Sequence, residues 1–194
     1  VLQGAWLLLL QRYLGRRQVA FGATVSGRPA DLRGAESILG LFINTVPVIQ
    51  GPGLDAQLGA WLRELQAQNS ALREHEHCAL ADLQRWAGQP GQALFDSLLV
   101  FENYPVGEAL RARGGARLRF TGVRSVDVTN YPLVVEVHAG EQLELRYKFA
   151  TEQLDSQQVQ ALANHFESLL GEMLGSAERE VGRLSLLGSA DSAR

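Results

Sequence analysis

"LGLFINTVPV", residues 39–48, reads as a buried strand whose middle carries an amide and a hydroxyl, Asn44 and Thr45. Around them stand Leu41, Phe42, Ile43, Val46 and Val48, side chains that favour dry packing on a pleated sheet. Polar groups in such surroundings must find partners. The pair therefore marks either a strand bend that needs its backbone satisfied or a place where polar chemistry is done. Upstream, "QVAFGATVSG" (18–27) is another strand, and Gly22 inside it signals a bulge or the close approach of another backbone or a ligand. The turn-rich "RPADLRGAE" (28–36) joins the two.

Helical spacing brackets these strands. Leu2, Trp6, Leu9, Leu10 and Tyr13 fall on one side of residues 1–14, with Gly15 as the stop. Leu54, Leu58, Trp61, Leu62, Leu65 and Leu72 form the apolar face of a long helix. A shorter helix, about 79–87, carries Leu80, Leu83 and Trp86 before "GQPGQ" ends it. "LLVF" (98–101) has the continuous apolar character of a central strand, and Phe101 is expected in the core together with Trp86 and Tyr104. Residues 143–149 alternate, Leu143, Leu145, Tyr147 and Phe149 inward, and pair with "LVVEV" (133–137) through the Ala139–Gly140 turn. A last helix opens with Asp155 and Gln158 as a capping box and buries Val159, Leu162, Phe166, Leu169, Leu170 and Met173. Alternating helices and strands predict an α/β domain with a mixed β-sheet layered with helices.

Composition narrows the function classes. With 46% apolar and 20% charged residues the chain is an ordinary globular protein, and a net charge of −3 gives no general attraction for nucleic acid or an anionic membrane. The one basic cluster, "RARGGARLR" (111–119), reads as a solvated loop. "AWLLLL" (5–10) is far shorter than the roughly 20 apolar residues that cross a bilayer. The single cysteine, Cys78, suits a reducing compartment, so a cytoplasmic location is expected. A start without Met, directly in a helical pattern, reads as a piece of a longer polypeptide.

No self-contained active site is visible. Ser26 in "TVSGR" lacks the first glycine of a nucleophile elbow. His75 and His77 in "HEHC" diverge by about 200° on a helix and have no second ligand cluster, so no metal is expected. Gly51 and Gly53 do not extend to a dinucleotide fingerprint, and His138 and His165 stand alone as turn or surface residues.

Read with its neighbours, "FGATVSGRPADLRGAESILGLFINTVPV" (21–48) resembles the condensation domains of non-ribosomal peptide synthetases, whose fifth core motif has the form G-x-F-x-N-T, here Gly40, Phe42, Asn44 and Thr45. "LREHEHCALADLQRWAGQPGQALFDSLLVFENYP" (72–105) is similar to the sixth and seventh motif regions, degenerate around His75–Cys78. "TNYPLVVEVHAGEQLELRYKF" (129–149) and the exit "VGRLSLL" resemble the family's C-terminal strands and its linker toward an adenylation domain.

The resemblance implies one lobe of a chloramphenicol-acetyltransferase-like fold: residues 1–175 as the C-terminal lobe and 176–194 as a linker. It implies amide formation between carrier-tethered thioesters, with phosphopantetheine arms as substrate carriers and no cofactor held by this lobe. Its partners would be the N-terminal lobe, peptidyl carrier proteins and the adenylation domain, in the biosynthesis of a siderophore or another peptide natural product. The His-His-x-x-x-Asp-Gly motif of the N-terminal lobe is absent, so the fragment is expected to be inactive alone. Asn44 is then a supporting polar group beside someone else's histidine, and Ser26, Gly27, Arg28 and Thr45 border the substrate. Arg28 would meet a carrier's phosphate or fix a turn. The alternatives are a lobe of another coenzyme-A-dependent or carrier-dependent acyltransferase and a non-catalytic carrier-docking module.

Overall fold

The computed structural model describes residues 1–26, 33–34, 37–102, 129–140, 142–175 and 177–187. In chain order the elements are α1 (Leu2–Leu14), β1 (Val19–Val25), β2 (Asn44–Gln50), α2 (Leu58–Leu72), α3 (Leu80–Trp86), β3 (Ser97–Glu102), β4 (Leu133–Ala139), β5 (Leu143–Phe149) and α4 (Ser156–Gly175). The strands form one sheet in the order β2-β1-β3-β4-β5. β1, β3 and β4 run parallel at its centre, and β2 and β5 are antiparallel edges. This is the mixed α/β layering that the alternation of elements predicts.

Alternation along the strands sorts the two faces. Phe21, Ala23, Val46, Val48, Leu99, Val135 and Val137 share one buried cluster with α1, α2 and α4. Phe95, Leu98 and Val134 form a smaller cluster on the opposite face, joined by Leu80 of α3. Gly22 belongs to that face. A Cβ there would collide with Phe95 Cε2, so the glycine admits the Phe95 ring against the strand. The close approach foreseen from its place in the strand comes from a side chain.

The main core is tied across three elements by Trp6, which is fully buried. Its ring meets Phe166 of α4 edge-on at 5.3 Å, and its Nε1–H donates to Ser97 Oγ of β3 at 3.2 Å. The T-shaped pair and the satisfied indole let a large ring be buried without a stranded donor. Ala5 to Leu9 are all buried, so the first half of α1 is covered all round rather than on one side; β1 and α4 enclose it. α1 ends as expected at Gly15, with φ 61° in the left-handed region. The capping box of α4 is complete: Gln158 N–H donates to Asp155 Oδ1 and Asp155 N–H to Gln158 Oε1.

Several expectations change. The buried strand expected over 39–48 begins only at Asn44, and Leu39 and Leu41 before it are 99% and 87% exposed. Trp86 is 68% exposed because α3 has only seven residues and reaches the small cluster through Leu80. Phe101 and Leu143 are also exposed, one near the end of β3 and the other at the start of β5. Tyr104 and the 111–119 cluster lie outside the described residues.

The stretch 177–187 is docked on the body. Leu58 N–H donates to Arg179 O at 2.9 Å and Gly59 N–H to Ala177 O at 2.7 Å, satisfying first-turn amides of α2 that have no side-chain cap. Val181 and Leu184 are buried in the main core. Residues 176 and 188–194 lie outside the described ones.

Tyr147 supplies a test of core polarity. Its hydroxyl is buried with no hydrogen-bond partner among the described residues. Burial, and then the charge of Glu167, push the phenol well above its ordinary value of 10.0. The unfolded chain therefore releases this proton near pH 10 while the folded chain retains it, and stability falls as pH rises through and beyond 10. Tyr147→Phe is expected to gain up to about 1 kcal/mol at neutral pH by removing a stranded hydroxyl, and to flatten the alkaline decline, as read by denaturant unfolding at a series of pH values.

Candidate functional site at the carboxyl edge of the sheet

Strand direction gathers the carboxyl ends of β1, β3 and β4 on one edge, with the starts of β2 and β5 beside them. Val25 pairs with Asn44, Thr24 with Thr45, Glu102 with His138 and Ala139 with Leu143. Carboxyl edges of parallel strands are where open α/β sheets hold ligands. Ser26 follows directly on Val25, so Ser26, Asn44 and Thr45 lie at the same edge. Gly27 and Arg28 lie outside the described residues.

Asn44 opens β2, and its carboxamide is fully engaged as a donor. Nδ2 donates to Glu76 O at 2.7 Å and to Cys78 O at 2.8 Å, while Oδ1 accepts from Thr45 N–H at 2.9 Å. The side chain thus ties the start of β2 to the turn that follows α2. An amide suits this task because it alone among small side chains offers two donors and an acceptor in one plane. In this geometry Asn44 positions backbone and has no N–H left over for a reacting oxygen. Thr45 faces the opposite side of the sheet from Asn44 by strand alternation.

The turn held by Asn44 carries the "HEHC" residues. His75 and His77 are exposed, and His77 Nε2 lies 4.0 Å from Cys78 Sγ. Among the described residues no group of three or more His, Cys, Asp or Glu is placed to hold a metal. No helix among them is long and apolar enough to cross a membrane.

Sequence reading missed one charged group near this edge. Glu136, on the sheet face away from the main core, is buried; it accepts from Lys148 of β5, and its Oε2 is 3.7 Å from His138 Nε2. His138 therefore belongs to a strand and a charge cluster rather than standing isolated at a turn. The signal was Glu136 itself, a carboxylate inside "LVVEV", since a buried charge requires a partner. Glu144 and Arg146 form an exposed pair on β5; the hydrogen bond from Arg146 holds the Glu144 carboxyl below the usual range.

A family model described as "Condensation domain" matches residues 1–194. The chain belongs to the condensation-domain family. It is 44% identical over 192 residues to a chondramide synthase of Chondromyces crocatus, covering 98% of this chain and 5% of that protein. To tyrocidine synthase 2 of Brevibacillus parabrevis it is 34% identical over 197 residues, covering 100% of this chain and 6% of that protein. The chain thus spans a small part of the length of these curated relatives. The fold resembles that of a four-domain nonribosomal peptide synthetase solved in its holo form with AMP and glycine, with a TM-score of 0.80 at 18% identity over 98% of this chain and 16% of that one. It also resembles the first condensation domain of the CDA synthetase, with a TM-score of 0.70 at 17% identity over 96% of this chain and 41% of that one. At these identities the two structures establish the shared fold. Within the condensation-domain fold, Asn44 and Thr45 of the G-x-F-x-N-T stretch sit at the start of an edge strand.

The Asn44 tie is measurable. Asn44→Ala removes three hydrogen bonds and is expected to cost about 1–3 kcal/mol. Asn44→Asp is expected to destabilise at least as much at neutral pH, because it sets a carboxylate oxygen against two carbonyl oxygens. Denaturant midpoints for the two variants check both the size and the order.

Proposed function

We propose that these residues form the C-terminal lobe of a condensation domain in a nonribosomal peptide synthetase, the lobe occupying residues 1–175. The domain joins an acyl group and an amine, each delivered on the phosphopantetheine arm of a peptidyl carrier protein. The amine nitrogen attacks the thioester carbonyl, a C–N bond forms, the C–S bond breaks, the thiol leaves with the donor arm, and the amine proton passes to a base. The observation that carries this reading is the family match along the whole chain, together with the convergence of Ser26, Asn44 and Thr45 on one sheet edge.

The base is not among these three. A carboxamide and two hydroxyls are neutral over the physiological range and do not accept the amine proton; the family resemblance implies that the general base is the histidine of the N-terminal lobe's His-His-x-x-x-Asp-Gly motif. Asn44 serves transfer as a positioning residue: it fixes the β2 start and the Glu76–Cys78 backbone as a wall of the acceptor passage. Ser26 and Thr45 border that passage; Gly27 and Arg28, assigned to it by the family resemblance, lie outside the described residues. The lobe itself binds no cofactor. Residues 176–194 lead toward an adenylation domain, and the docking of 177–187 on α2 gives that connection a fixed point of departure. A cytoplasmic location and a siderophore or related peptide product complete the reading.

The test uses loaded donor and acceptor carriers and mass spectrometry of the tethered product. The 194-residue chain alone is expected to form no amide, and the complete domain to form it. In the complete domain, Asn44→Ala is expected to slow turnover by less than the ~10²–10³ that loss of a direct oxyanion donor costs. Turnover by these residues alone would overturn the division of labour.

A further inference from the structure

β2 is an edge of the sheet: among the described residues it pairs with β1 alone. From Asn44 to Gln50 it reads NTVPVIQ, a strand with no charge, and Ile49 is 46% exposed. An uncharged edge of this kind is a template for pairing with another strand. The opposite edge, β5, carries Glu144, Arg146 and Lys148, which discourage such pairing. β2 has no comparable side chains.

Pro47 settles which backbone groups of β2 point outward. In an antiparallel pair, residues that exchange both N–H···O bonds alternate with residues that turn these groups away from each other. The register between β1 and β2 runs unbroken from Val19↔Gln50 to Val25↔Asn44 and sets Pro47 opposite Gly22. Proline has no N–H to exchange, so Gly22↔Pro47 is of the second kind, and so are Ala20↔Ile49 and Thr24↔Thr45. Thr45, Pro47 and Ile49 therefore carry the outward backbone. Each of them has already lost one of its two groups. Thr45 N–H donates to Asn44 Oδ1 at 2.9 Å, Pro47 lacks the donor, and Ile49 O accepts from Gln68 Nε2 of α2 at 3.2 Å. The Thr45 and Pro47 carbonyls and the Ile49 N–H remain, but no position keeps the donor and acceptor together that a ladder pair exchanges.

We infer that Asn44, Pro47 and Gln68 close the β2 edge against strand addition by a second copy of this chain. A second copy presents the same uncharged strand, so antiparallel pairing of β2 with β2 would meet no repulsion from side chains, and only the backbone is left to prevent it. The closure is separate from the tie to the turn after α2, which uses Asn44 Nδ2 and not Oδ1. It is also independent of the reaction proposed for the domain.

The experiment uses the complete condensation domain that contains this chain. Pro47→Val restores the N–H at position 47, and Gln68→Ala frees Ile49 O. In the double variant, sedimentation velocity over a concentration series is expected to show self-association about tenfold tighter than in the unaltered domain, the factor that roughly one net hydrogen bond supplies. Hydrogen exchange is expected to slow at residues 44–50. Adding Ile49→Lys is expected to return association to the unaltered level, because a lysine on the edge opposes its copy. A folded double variant that associates no more than the unaltered domain overturns the inference, as does association whose exchange protection lies outside β2 or persists with the lysine. Circular dichroism melting establishes folding; if the double variant melts early, Gln68→Ala alone, which leaves the strand sequence untouched, is judged by the same two criteria.

Discussion

Strand direction governs what this protein can present. Three central strands run the same way, so their carboxyl ends and the segments leaving them must share one edge. The antiparallel edge strands then bring their own beginnings to that edge, Asn44 on one side and Leu143 on the other. One face of the sheet is closed by α1, α2 and α4 around Trp6, and part of the other by the Phe95 cluster. The carboxyl edge is left as the place where the polar motif residues are presented.

Asn44 answers the question its sequence position poses by serving the backbone. An amide at the first residue of an edge strand satisfies the turn after α2 and its own neighbour, and so converts two loosely connected segments into one rigid corner. Such positioning is compatible with a role in acyl transfer, because reaction rate depends steeply on where the reacting groups are held. In the proposed domain the corner supplies shape and the other lobe supplies the proton acceptor.

Much of this was legible in the residues. Helical spacing located α1, α2 and α4, strict alternation located β5 and its hairpin with β4, and Asp155 with Gln158 marked the start of α4. Readings that assumed burial for every apolar residue failed at Leu39, Leu41, Trp86, Phe101 and Leu143, since periodicity reports which side chains are apolar and not whether anything in the chain covers them. The linker-like composition after Gly175 concealed the docking of 177–187, which is carried mainly by backbone hydrogen bonds and by Val181 and Leu184. Glu136 was passed over because its pairing crosses from β4 to Lys148 on β5, a contact that spacing within one strand does not reveal, and His138, two residues further along β4, was read as isolated.

The central claim is that the carboxyl edge is the working edge. Its most direct measurement is a structure of the complete domain trapped with a non-hydrolysable phosphopantetheine thioester analogue. The account predicts an arm that passes Ser26, Asn44 and Thr45, with the Asn44 amide still bonded to the Glu76 and Cys78 carbonyls. An arm at the opposite edge, beside Val19, Gln50 and Ser97, would contradict it.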